Sequence, residues 1–114
     1  MAKILAILAQ QRPYSLVYAA EVSRHLQTLD LKDHPLIREK IEEQLLFEPG
    51  TETKNRKPLR QPAAFAAGWE IRFGPDNRFR VLYDIDRKGG AVRILAVGEK
   101  AGNRLLVGGE EVEL

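Results

Sequence analysis

Between Trp69 and Ile85 the chain reads WEIRFGPDNRFRVLYDI, and three of its side chains could do chemistry: Arg72, Arg80 and Glu70. Sorted by parity, Trp69, Ile71, Phe73, Phe79, Val81, Tyr83 and Ile85 form one set. Glu70, Arg72, Arg78, Arg80, Leu82 and Asp84 form the other. Period-two alternation of this kind marks strands with one buried face. Tyr83 is catalytic by type, but its parity assigns it to the core. Arg72 and Arg80 point the other way, and on adjacent strands they reach one another or a shared ligand. A guanidinium fork matches two oxygens of a phosphate at once. The chemistry these residues suit is therefore the grip of an oxyanion, with a carboxylate at its side. The simpler reading is a solvated sheet face on which Arg72 pairs with Glu70 or Asp84. Arg78 and Arg93 read as solvated or paired.

More cations stand nearby. The polar loop 50–62, GTETKNRKPLRQP, carries Lys54, Arg56, Lys57 and Arg60, and Lys100 follows Gly98-Glu99. If the strands pair as a meander, Lys57, Arg60, Arg72, Arg80 and Lys100 converge on one concavity with Glu70 inside it. Like charges so gathered repel, and an anionic ligand relieves them. Other chemistries lack their residues. The sequence has no GxSxG, no Gly-rich phosphate loop and no His/Asp/Glu set with metal-ligand spacing, so neither a metal nor a cofactor is expected. His25 sits one turn from Val22 at the edge of an apolar stripe and reads as structural. His34 reads as part of the start of the second helix. The acidic tail, Glu110, Glu111 and Glu113, reads as a solvated terminus.

The elements that must position these residues follow from the pattern. Residues 14–19, YSLVYA, are rich in β-formers and predict a strand. Val22, Leu26 and Leu29 predict a short amphipathic helix over about 20–29. Asp33 is a candidate cap for a second helix, with Pro35 in its first turn and Ile37, Ile41 and Leu45 as its stripe. Pro49-Gly50 ends that helix, placing its last residue at Glu48. Strands follow at 69–73, 78–86 and 91–97, separated by turns at 74–77 and 87–90, with a break at 98–102. The tail RLLVGGEEVEL predicts a strand pair around Gly108-Gly109. Strand, two helices, then a run of strands is an α+β order, with the N-terminal strand and a helical hairpin packed on one face of a mainly antiparallel sheet.

Composition sets bounds. One domain fits 114 residues, and 44% hydrophobic content is enough for a core. A net charge of +2 does not by itself mark a nucleic-acid binder. The absence of cysteine excludes disulfides and thiolate metal sites and agrees with a reducing cytoplasm. Residues 1–13 read as an extension, with an apolar run too short to span a bilayer and unlike a signal peptide. The segment is either a start-site extension or a short helix on the body. A soluble, cytoplasmic protein with no membrane partner is expected, with a single domain over 14–114.

Taken as a set, EPG, NRKPLR, GWEIRFG, FRVLYDID and VRILAVGEK, after a strand and a helical hairpin, resemble the RelE/ParE superfamily of bacterial type II toxins. The resemblance runs from Tyr14 to about Leu106. It implies an α+β toxin fold whose open sheet face, in the RelE branch, binds mRNA in the ribosome and cuts it without a metal. It also implies a cognate antitoxin, usually an acidic segment that covers the cations. Carried over residue by residue, it places Arg72, Arg80 and Lys100 in the catalytic set. Lys54, Lys57 and Arg60 fall in the basic loop that binds RNA. Two positions depart from the RelE pattern: Glu70 stands where a lysine is frequent, and Leu106 where a tyrosine is. The resemblance then makes Arg72 and Arg80 stabilisers of the phosphoryl oxygens and Glu70 the base, with Lys100 a positioning group or the acid. The ParE branch, which poisons DNA gyrase without RNA cleavage, and a retired toxin that only binds its antitoxin are the alternatives.

Overall fold

A computed structural model describes residues 12–113. The expectations for the first eleven residues lie outside them. No helix among the described residues is long and apolar enough to cross a membrane.

The elements, in order, are β1 (Ser15–Tyr18), α1 (Val22–Gln27), a 3-10 turn (Leu31–Asp33), α2 (His34–Leu45), β2 (Arg56–Pro58), β3 (Trp69–Phe73), β4 (Phe79–Asp86), β5 (Ala91–Ala101), β6 (Arg104–Val107) and β7 (Glu110–Val112). The seven strands form one sheet. Its path runs β2-β3-β4-β5-β6-β7, with antiparallel neighbours throughout, and β1 joins β5 in parallel. The α+β reading therefore holds.

One face of the sheet is buried as the parity split requires. Ile71, Phe73, Phe79, Val81 and Tyr83 pack with Val22, Leu29, Ile37, Ile41 and Leu45 of the helical layer, flanked by Trp69 and Ile85. Tyr83 is fully buried, and its hydroxyl donates to the Pro49 carbonyl at 2.6 Å. Burial pushes its pKa up, against the lowering influence of Arg56, so the phenol stays protonated and keeps donating. Tyr83→Phe leaves that carbonyl unpaired and is expected to cost about 1–3 kcal/mol, read as a lower urea midpoint at unchanged slope.

The first helix is shorter than expected, Val22–Gln27, and the polar loop 50–62 contains the strand β2, which pairs with β3. Three further differences from the sequence reading have a tertiary reason. The second helix stops at Leu45, short of Glu48. Its last carbonyls are taken by partners from outside the helix: Arg56 Nη1 donates to Gln44 O at 2.7 Å, and the Tyr14 amide to Leu46 O at 2.7 Å. Asp33 makes no side-chain cap. The 3-10 turn runs straight into the helix, and His34 Nε2 donates back to Leu26 O at 2.9 Å and Leu29 O at 3.2 Å, pinning the hairpin. Finally, β5 does not break at Gly98 but continues to Ala101. A Cβ at Gly98 would lie 2.7 Å from Leu106 O, so the glycine marks a close approach of β6 rather than a turn.

Between β1, which pairs with residues 91–94, and β6, which pairs with 98–101, the same edge of β5 has a gap. His25 fills it. The Val97 amide donates to its Nδ1 at 3.4 Å, which places the ring proton on Nε2. Burial, then the nearby Arg24, lower the His25 pKa, and Glu21 opposes them. A folded-state pKa below the unfolded value near 6.5 means that the unfolded chain binds more protons below that pH. Stability from this residue is complete above about pH 6.5 and falls as pH drops toward the lowered folded value. His25→Asn retains an acceptor and cannot titrate, so its melting temperature is expected to fall less between pH 7.5 and 5.5 than that of the wild type.

Candidate nucleic-acid interface

On the sheet face away from the helices, Arg72 of β3 stands directly opposite Arg80 of β4. Like charges in direct cross-strand register repel, and Glu70 offsets this. Arg72 Nε donates to Glu70 Oε1 at 2.7 Å, and Arg80 Nη1 lies 3.9 Å from Glu70 Oε2. The glutamate was expected inside an open concavity. Instead it is buried, opposite Lys57 on one side and Leu82 on the other, beneath the two guanidinium groups. Its Oε2 has no hydrogen-bond partner among the described residues.

The two arginines are not equivalent. The Arg72 side chain is 41% exposed and the Arg80 side chain 12%. Arg80 Nε also donates to Asn77 O at 3.3 Å, across a turn in which Asp76 and Asn77 both adopt left-handed backbone (φ 55 and 52). Burial lowers the Arg80 pKa, Arg72 adds to that, and Glu70 opposes it. An arriving anion would relieve part of that cost.

The other cations spread more widely than a single concavity. Lys57 faces the same side through its register with Glu70 and approaches Glu52 Oε2 at 3.4 Å. Lys100 lies within β5, not after it, and is exposed. By register, Lys57, Arg72, Arg80 and Lys100 place one cation from each of four adjacent strands on one face. Arg80 and Lys100 also line an open cleft of about 430 Å³ with Asn103, Arg104 and Leu105, bounded by Glu111 and Glu113. Lys54 and Arg60 are exposed on the loops either side of β2. Arg78 pairs with Glu99 at 2.9 Å and Arg93 with Asp84 at 2.7 Å. Leu106 lies within β6, opposite Glu99 and Glu111.

Sequence reasoning missed two features. Arg104 belongs to the cleft. The open face is also not open throughout: Leu82, Ala96, Leu105 and Val107 form a second apolar cluster with Ala67, packed by Leu59 and Ala64 of the loop before β3. Leu82 was legible as the one apolar residue in the polar parity set. Among the described residues no group of three His, Asp or Glu side chains is placed to hold a metal ion.

The fold and this face can be set beside known proteins. No family model matches the chain, and no curated protein does. A solved structure does: one chain of the toxin–antitoxin complex RelBE2 from Mycobacterium tuberculosis, at 29% identity, covering 81% of this chain and 97% of that one, with a TM-score of 0.65. The chain is RelE-like. In the RelE-like chain, the sheet and its helical layer thus carry the architecture that the strand and helix motifs implied, and the basic face lies on the side the helices leave uncovered.

Proposed function

We propose that this RelE-like chain is the toxin of a type II toxin–antitoxin pair and cleaves mRNA on translating ribosomes, so inhibiting translation. The observation that carries the reading is the Arg72–Arg80 pair, held face to face across β3 and β4 on the side away from the helices. In the reaction, a base removes the 2′-hydroxyl proton and the 2′-oxygen attacks the adjacent phosphorus. The bond from phosphorus to the 5′-oxygen breaks, and that oxygen takes up a proton. The products are a 2′,3′-cyclic phosphate and a free 5′-hydroxyl. Charge builds on the non-bridging oxygens, where preorganised donors help most. Arg72 and Arg80 supply those donors. Lys54, Lys57, Arg60 and Lys100 hold the flanking backbone.

Glu70 contacts both arginines, and that geometry sets its first task. It places both guanidinium groups, and Arg72 must swing outward before the carboxylate reaches a 2′-hydroxyl as base. The antitoxin would be an acidic segment that covers the same cations.

A second reading, a gyrase-binding toxin without RNA cleavage, is favoured by the same residue, because Glu70 neutralises part of the cationic face. Purified protein added to translating ribosomes separates the two. Discrete mRNA cuts within codons support the first. Intact mRNA together with gyrase-linked DNA breaks would replace it with the second.

A further inference from the structure

We infer that Phe65 is a stacking platform for an unpaired RNA base beside the phosphate held by Arg72 and Arg80. The inference rests on the proposed function and names a residue that this function does not require. Phe65 is one of few large apolar side chains left exposed among the described residues, at 41%. It sits in the loop between β2 and β3 that also carries Arg60. Phe65 and the next residue, Ala66, both adopt left-handed backbone (φ 59 and 54). That conformation is unfavourable for a bulky side chain, so the surrounding structure must hold it.

Two contacts do so. Ala64 and Ala67, on either side, pack into the apolar cluster with Leu82 and Ala96 on the open sheet face. The Phe65 ring meets the buried His25 ring edge to face, with centroids 5.8 Å apart and planes at 70°. The phenyl ring is thus fixed by an interaction with His25 while much of its surface stays in water.

Its location suits a nucleic acid. The loop covers Leu82 and Ala96, which are paired across β4 and β5. The next same-face pair along those strands is Arg80 and Gly98. Two residues along a strand is about 7 Å. A single strand whose phosphate lies between Arg72 and Arg80 therefore continues toward Phe65. Arg60 sits on the same loop to meet its backbone. Unstacked bases dock on aromatic faces with little regard to sequence, which fits one phenyl ring held in place.

The test is binding of a short single-stranded RNA, 2′-O-methylated to prevent cleavage, by fluorescence anisotropy at fixed salt. Phe65→Leu keeps apolar contact with His25 and removes the aromatic face. Its affinity is expected to fall about 5- to 100-fold, with the salt dependence unchanged, and Phe65→Tyr is expected to restore it. Replacing the nucleotides next to the bound phosphate, one at a time, with abasic residues should identify one position that weakens the wild type but not Phe65→Leu. The inference is overturned if Phe65→Leu binds like the wild type, or if every abasic position affects both proteins equally. In those cases Arg72→Ala still weakens binding and the functional reading stands. If the wild type binds no RNA at all, both fall together.

Discussion

Arg72→Ala and Arg80→Ala, made singly, are each expected to lower mRNA cleavage on translating ribosomes by about 10²–10³-fold, the loss typical of one preorganised donor facing developing charge. The double variant should leave mRNA intact and cells growing. Each change takes one cation from the buried Glu70 and should cost stability, so circular dichroism must show each variant folded before its cleavage is compared. Arg72→Lys is the informative control. Lysine retains the charge but not the planar fork, and it cannot hold Glu70 and two phosphate oxygens in the same geometry. It should recover only a small part of the loss. Wild-type cleavage by the double variant would remove these residues from the site.

The largest effect on stability is expected from a different arginine. Arg56 is buried, and its Nε donates to Thr51 O at 2.9 Å while Nη1 reaches Gln44 O at 2.7 Å. Glu48 lies 3.8 Å from its Nη2. Arg56→Ala leaves the Gln44 carbonyl at the end of α2 and the Thr51 carbonyl of the following loop without their donors, and an unfilled space beside β2. Hydrogen bonds from charged donors contribute about 1.5–3 kcal/mol each, so a loss of about 3–5 kcal/mol is expected in urea unfolding. Lys57→Ala, one residue along and half exposed, should cost about 0.5 kcal/mol or less. Equal costs at the two positions would refute the assignment.

These two arginine sites show what the sequence could and could not reveal. The alternation around Arg72 and Arg80 fixed their strands and their shared face, because period-two burial is a local property. Arg56 sits in a run of loop cations with no period, and only the tertiary approach of α2 makes it structural. Glu70 has the correct parity for the open face yet is buried, because Arg72, Arg80 and the chain on either side close over it. Gly98 read as a strand break because composition cannot separate a turn glycine from one pressed against a neighbouring backbone. Phe65 lay in an alanine-rich stretch whose role depends on a cluster beneath it that the loop itself creates.

The pairing of β1 has a consequence for how the protein comes into being. Ser15 pairs with Ala91, 76 residues later. During synthesis the first described strand leaves the ribosome well before its partner is made. The hairpins β3–β4 and β4–β5 are local and close over short loops, so they can form at once. The arginine pair and Lys100 therefore take shape from the local strands of residues 69–101, with Lys57 joining from β2, while β1 must wait undocked until β5 arrives. A nascent chain of this kind can complete its cationic surface only after β5 has been made.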